Sequence, residues 1–344
     1  MSSTRTERVV LGAGETVETE TEKAATGSDD RSASKTWRDR AVAVSPYVIT
    51  AGVLAFLFTR YDVDVMLAHV RQGDPLPVVA AAFGLVLVTL FAISLADHWV
   101  IKNVAMAAGV EAPDYRDVLG AKAGSSLLDI VGYAAGHGGY ALWIARKTAC
   151  GGRRSAGAML YIMAADLLAV SSVAAAAMAV GGLSFGGPLI EVASGVSIVL
   201  AALLFLGPYK LLGDGGGVFA PWSEVPRRVG FAQTAIRAGC MVLWGLAIWI
   251  ASRGFGLALP FAAVMTLVPV ILLVSALPIN VAGFGAVQTV WLLFEGWATG
   301  EHILAFQLVW TLALTSGIVL RGLPFVRRFV AQIDRGSKDA TASD

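Results

Sequence analysis

Charge is what this sequence has least of. Asp, Glu, Lys and Arg make up 15% of its 344 residues, against 56% hydrophobic residues. A soluble domain carries about 25% charged and about 45–50% apolar residues. Both shifts, with a mean hydropathy of +0.69, point to lipid as the solvent. Cysteine is scarce too: Cys150 and Cys240 sit in no CxxC or Cys/His spacing, which excludes a disulfide framework and a zinc ribbon. Both lie near Arg and Lys at the ends of apolar segments and read as reduced thiols at the cytoplasmic face. The four histidines have no second His or carboxylate at ligand spacing, so neither a metal nor another cofactor is expected. A net charge of +1 leaves no electrostatic case for a nucleic-acid partner. No Ser/His/Asp or paired-carboxylate constellation presents itself, and the chain is not expected to be an enzyme. Gly213-Asp214-Gly215-Gly216-Gly217 lacks the Gly-Lys-Ser/Thr of a phosphate loop and reads as a flexible turn.

What is abundant is long apolar runs. A bilayer core about 30 Å thick takes about 20 apolar residues in a helix. Runs of that kind lie at 41–59, 76–96, 156–180, 189–207, 236–252, 258–277, 279–297 and 302–320. The segment 118–146 is different. It is apolar but interrupted by Gly120, Gly124, Gly132, Gly136, Gly138 and Gly139. It is too long for one crossing and too short for two, which need about 40 residues. A re-entrant helical hairpin, entering and leaving on one side, fits its length. The expectation is an all-α, polytopic transmembrane bundle of about eight spans plus this hairpin, over residues 38–332. Residues 1–37 and 333–344 are polar and read as disordered cytoplasmic tails.

Lys and Arg collect on the cytoplasmic side of membrane proteins. With a cytoplasmic N-terminus and a returning hairpin, Arg38, Arg40, Arg146, Lys147, Arg153, Arg154, Arg227, Arg228, Arg327 and Arg328 share one side. Only Arg60, Arg71 and Arg253 lie opposite. A single crossing at 118–146 would invert every later loop. Both termini are therefore expected in the cytoplasm, and the location is that of a prokaryotic inner (plasma) membrane. Trp99, Trp143, Trp222, Trp297 and Tyr209 near segment ends read as interfacial aromatics.

Two places depart from plain apolar helix, and they resemble each other. Ala134-Ala135-Gly136-His137-Gly138 lies in the hairpin, with Trp143 following. Val281-Ala282-Gly283-Phe284-Gly285 follows Pro278, with Trp291 at nearly the same distance. Each reads as a break that opens an apolar helix. Broken helices at matching positions in two halves point to an inverted repeat and to a transport site. Irregular backbone at that depth is tolerated only against protein or a wet cavity. Close packing of helices through small residues uses the same glycines.

The stretch Leu277-Pro278-Ile279-Asn280-Val281-Ala282-Gly283-Phe284-Gly285-Ala286-Val287-Gln288 resembles the signature of the lysylphosphatidylglycerol synthase transmembrane-region family. That signature has a Pro, a Gly-x-Gly shortly after it, and usually an Arg-Glu pair, where Val287 and Gln288 stand here. Ala135-Gly136 is similar to the family's earlier motif, with Gly132 and Tyr140 at its usual Pro and Arg. Asp166 is similar to an acidic residue the family carries after a Glu-Arg pair, replaced here by Ile162 and Met163. The resemblance covers roughly residues 40–330. It implies a flippase or lipid-handling module, with membrane lipid as substrate. The soluble aminoacyltransferase fused to some members is absent, so aminoacylation of lipid is not expected.

Asp129 and Asp166 are carboxylates within apolar segments, costly there unless water or a partner meets them. His137, between glycines, is placed to donate to a lipid phosphate or to Asp166. Asn280 and Gln288 offer amides at depth. With Gly136, Gly138, Pro278, Gly283 and Gly285, these residues form the candidate substrate pathway. Helix N-termini after Gly136 and Gly283 would present backbone N–H groups to a phosphate. The alternative is an intramembrane transferase, or an accessory protein, of isoprenoid- or hopanoid-type lipid synthesis, with Asp129 and Asp166 as metal ligands or base.

Overall fold

The computed structural model of the chain describes residues 44–45, 47–181, 186–202, 217–275, 280–281 and 284–341; the side chains of 133, 181, 186–191, 193–194, 281 and 333–341 lie outside the description. Residues 1–37, Pro278 and Gly283, each part of the expectations from sequence, fall outside it as well. The helices named below lie within one unit, Pro46–Asp344.

The architecture is all-α. Four helices are long and apolar enough to cross a membrane: α3 (Pro75–Ala107), α6 (Gly152–Gly181), α9 (Arg227–Gly254) and α12 (Gly300–Thr341). The chain is thus compatible with an integral membrane protein. Two more of the expected spans are shorter apolar helices, α1 (Tyr47–Arg60) and α10 (Phe261–Ser275). Another, 189–207, is described as helix only in part, as α7 (Gly186–Ala201). Remaining helices are α2 (Val63–Gln72), α4 (Tyr115–Val131), α5 (Tyr133–Thr148), α8 (Ala220–Glu224) and α11 (Ala286–Trp291).

Local chemistry sets the ends. Asp62 accepts from the N–H groups of Asp64 and Val65, at 2.8 and 3.3 Å, and starts α2. Asp74 accepts from Leu76 N–H at 2.9 Å and starts α3, with Pro75 in the first turn where no N–H is needed. Gly256, at φ 84°, turns the chain out of α9 and lets Leu257 N–H reach Ser252 O at 2.7 Å.

Residues 118–146, where a re-entrant hairpin is expected, form two helices that run antiparallel. α4 runs 17 residues, about 25 Å. The chain reverses at Gly132, whose backbone is extended (φ 174°, ψ 138°), and α5 runs back for 16 residues. Lys147 Nζ at its far end meets Asp117 Oδ2 at the start of α4, 2.8 Å away. Trp143 is no interfacial aromatic. It is fully buried, stacks on Tyr140 and donates from Nε1 to Gln332 Oε1 at 2.7 Å.

Residues 279–297 differ from the single helix that their apolar length suggests. β1 (Asn280–Val281) pairs antiparallel with β2 (Phe284–Gly285), Asn280 opposite Gly285. The six residues of α11 and a 3₁₀ turn, Leu292–Phe294, follow. α10, the two-strand turn and α11 make a second, shorter reversal.

The two reversals stand at opposite ends of α12. Arg328, late in α12, bonds Asp117 at the base of the first hairpin at 3.0 Å. Trp291, on the returning limb of the second, packs edge-on against Phe306 near the start of α12, centroids 5.7 Å apart. Two apolar clusters match these ends. One gathers Leu257, Val264, Trp291, Phe294 and Phe306, the other Ile101, Tyr140, Trp143 and Ile162. α12 itself continues as helix through Thr341, past the boundary expected at 332.

Candidate functional site

At the tip of the first hairpin the two limbs almost touch. A Cβ added at Gly136 would collide with Asp129 Oδ1 and lie 2.9 Å from the Asp129 backbone nitrogen. Gly136 is not a break that opens a helix. It lies one turn inside α5, with its N–H given to Gly132 O at 3.2 Å, so it presents no N–H to a phosphate. Its role is close packing of α5 on α4, the other use of such glycines. Gly138 faces open space, with nothing within 4 Å of an added Cβ. Gly136→Ala should therefore loosen the hairpin by about 1–3 kcal/mol, the usual cost of overpacking. Gly138→Ala should be neutral or slightly stabilising, since alanine is the better helix former. Thermal unfolding of the two variants in detergent decides this, and equal midpoints would refute the packing role.

His137 does pair with a carboxylate, but with Asp129 rather than Asp166: Nδ1 lies 3.5 Å from Oδ1. Arg321 on α12 is close enough to act electrostatically on Asp129, while its Nη1 donates to Val86 O at 2.6 Å.

The second reversal is held by amide side chains. Asn280 Oδ1 accepts from Val287 N–H in the first turn of α11 at 3.1 Å. Its Nδ2 donates to Val274 O in the last turn of α10 at 2.6 Å. Gln288 Oε1 accepts from Gly285 N–H at 2.5 Å. Three backbone groups at this break, Val274 O, Gly285 N–H and Val287 N–H, are thus met by side chains of the chain itself. Gly285, at φ 129° and ψ −133°, occupies a conformation open to glycine alone. Of the N–H groups expected to receive a phosphate here, that of Gly285 is taken by Gln288 and that of Val287 by Asn280.

Both reversals contribute to one cavity of about 330 Å³. Asp129 and Ile130 come from the first and Ser275, Asn280 and Val287 from the second. Trp244, Trp291 and Trp310 supply much of the rest, with Thr311 and Thr315 of α12. A few polar groups on an apolar wall are the usual makeup of a small-molecule site. Asp129, with about a third of its side chain exposed, supplies the charge.

Asp166 is not among the residues that line this cavity. Its Oδ1 accepts from Arg237 Nη1, and Arg237 Nη2 donates to Asp97 Oδ1. The second oxygen of Asp97 faces Lys122 Nζ at 3.4 Å. Lys122 in turn stands 4.9 Å above the Tyr140 ring. Four helices, α3, α4, α6 and α9, are joined through two cations and two carboxylates. Asp97 and Arg237 are essentially inaccessible, whereas a quarter of the Asp166 side chain is exposed.

Sequence reasoning missed Asp97, Lys122 and Arg237. The span expected at 76–96 stops one residue short of Asp97, and that at 236–252 opens on Arg237 as though it were interfacial. The helices run on, to Ala107 and back to Arg227, and carry both charges inside. The uncharged stretch 229–236 before Arg237 was the available signal. No protein-family model and no curated protein matches this chain.

Proposed function

We propose that this chain is a membrane-embedded lipid-handling protein of the flippase class. Its substrate is a membrane lipid whose headgroup passes between the two reversals while the tails stay in the hydrocarbon. The observation that carries this reading is the shared cavity: one carboxylate, one amide and several hydroxyls on a largely apolar wall, between two interruptions of helical structure. In this reading α4–α5 is a re-entrant hairpin from the cytoplasmic side and α10–α11 its counterpart from the other, an inverted repeat. Broken elements that meet near mid-membrane are where transporters place their sites. The likeness of 277–288 to the lysylphosphatidylglycerol synthase transmembrane region supports the same class. Both termini lie in the cytoplasm, and the membrane is a prokaryotic plasma membrane.

Among the described residues that line this cavity, Asp129 carries the only charge. Asp129→Asn keeps the shape and removes that charge. Losing one charge-assisted contact of about 1.4 kcal/mol is a tenfold effect, and lipid movement should fall by about that factor with unfolding unchanged. The measurement is protection of a short-chain fluorescent phospholipid from an impermeant quencher, in phosphatidylcholine–phosphatidylglycerol vesicles containing the purified protein. Parent protein that moves the probe no faster than empty vesicles would refute the flippase reading.

A further inference from the structure

We propose that the groove between α3 and α9 holds one phospholipid, with an acyl chain along the groove and the phosphate on Arg253. The site lies on another face of α9 from the cavity described above. It requires that the chain is embedded in lipid, and stands whether or not the chain moves lipid.

The groove has a volume of about 350 Å³. Pro77, Ala80, Gly84 and Val88 line it from α3, and Ala247 and Ile250 from α9. These positions recur every three or four residues, so each helix turns one face to it. Side chains are short along the middle, and a Cβ added at Gly84 meets nothing within 4 Å. Val88 lies eleven residues beyond Pro77, about 16 Å along a helix. That is half of a hydrocarbon core of about 30 Å, the depth that one acyl chain occupies in its own leaflet.

Apolar shape alone selects no lipid, because a tail gains nothing by leaving other tails for an apolar wall. Arg253 supplies the selection. It follows Ile250 by one turn of α9, at the end where Gly254 packs so closely on Pro77 that an added Cβ would lie 2.5 Å from its ring. The side chain is exposed, and its guanidinium lies over the Trp249 ring, 4.5 Å from the centroid. It makes no ion pair among the described residues. Asp74, the carboxylate that caps α3 at this end, is turned to Leu76 N–H at 2.9 Å. A guanidinium stacked on one face keeps its N–H edge free, and that edge matches two phosphate oxygens. Arg and Trp at a helix end are also what meets headgroups at the membrane interface. A second copy of the chain fits less well. Seated on the same face, it would set groove against groove and Arg253 toward Arg253, leaving space unfilled and like charges opposed.

The test uses the purified full-length protein in detergent, stripped of lipid and given one equivalent of phosphatidylglycerol with a diazirine in one acyl chain. After irradiation, label should concentrate in residues 80–88 and 243–250. Arg253→Gln, a change at an exposed position, should lower that label about fivefold, the weight of one basic side chain near lipid headgroups. Gly84→Leu, which fills the groove, should lower it severalfold without lowering the unfolding midpoint. A diacylglycerol with the same chains and diazirine has no phosphate, and should label the parent no better than the phospholipid labels Arg253→Gln. That comparison and Arg253→Gln decide the matter if Gly84→Leu does not fold. Label spread evenly over the apolar helices, label that survives in Arg253→Gln, or equal labelling by the diacylglycerol would overturn the proposal. A parent dimer that Gly84→Leu dissociates would overturn it in favour of a second copy.

Discussion

Arg237→Leu should leave little folded protein. Arg237 sits with 1% of its side chain exposed between two carboxylates, one of them completely buried. Removing one member of a buried ion pair costs about 3–5 kcal/mol, because the surviving charge keeps its desolvation penalty and loses its compensation. Here two carboxylates are stranded. Lys122, 3.4 Å from Asp97, compensates only one of them. The unfolding midpoint in detergent, read by loss of the monodisperse elution peak, should fall steeply for Arg237→Leu. The double variant Asp97→Asn/Arg237→Leu should recover part of that loss, since the inaccessible charge is gone. Arg154→Ala is the useful contrast. Arg154 is a third exposed and meets Glu224, itself about a tenth exposed, at 2.6 Å, and the loss of such a half-buried pair costs less than that of a fully buried one. Should Arg237→Leu melt together with Arg154→Ala, the network holds nothing together.

The same residue marks where the sequence could and could not be read. The membrane class was legible, because α3, α6, α9 and α12 each present enough uninterrupted apolar length to be recognised alone. The break within 118–146 was legible for a similar reason: the stretch is dense in glycine, and the chain reverses at one of these, Gly132. What apolar length does not encode is how a segment closes its backbone hydrogen bonds. Residues 279–297 are as apolar as a helix, yet Asn280 and Gln288 cap a two-strand turn instead. The network was out of reach for another reason. Arg237 finds Asp166 71 residues away and Asp97 140 residues away, and only tertiary packing selects those partners. Gly136 was found, but not its place one turn inside α5. Its neighbour across the hairpin, Asp129, is not implied by any spacing within 134–138.

Asn280→Leu should disable the second reversal and lipid movement together. The side chain is nearly isosteric, so the change isolates the amide. Its carbonyl holds Val287 N–H and its NH₂ holds Val274 O, so one residue closes both the end of α10 and the start of α11. Each backbone group left without a partner in a buried site costs about 1–3 kcal/mol. Two such groups amount to a loss of about 2–6 kcal/mol in the stability of this turn. Asn280→Asp separates the two bonds: it keeps the acceptor for Val287 N–H and loses the donor to Val274 O, and its defect should be the smaller one. Hydrogen exchange of the Val287 amide reports on the turn directly. It should become fast in Asn280→Leu and stay slow in Asn280→Asp, with lipid movement following the same order. Slow exchange at Val287 in both variants would mean that the turn stands without its amide, and that the cavity wall is fixed by apolar packing alone.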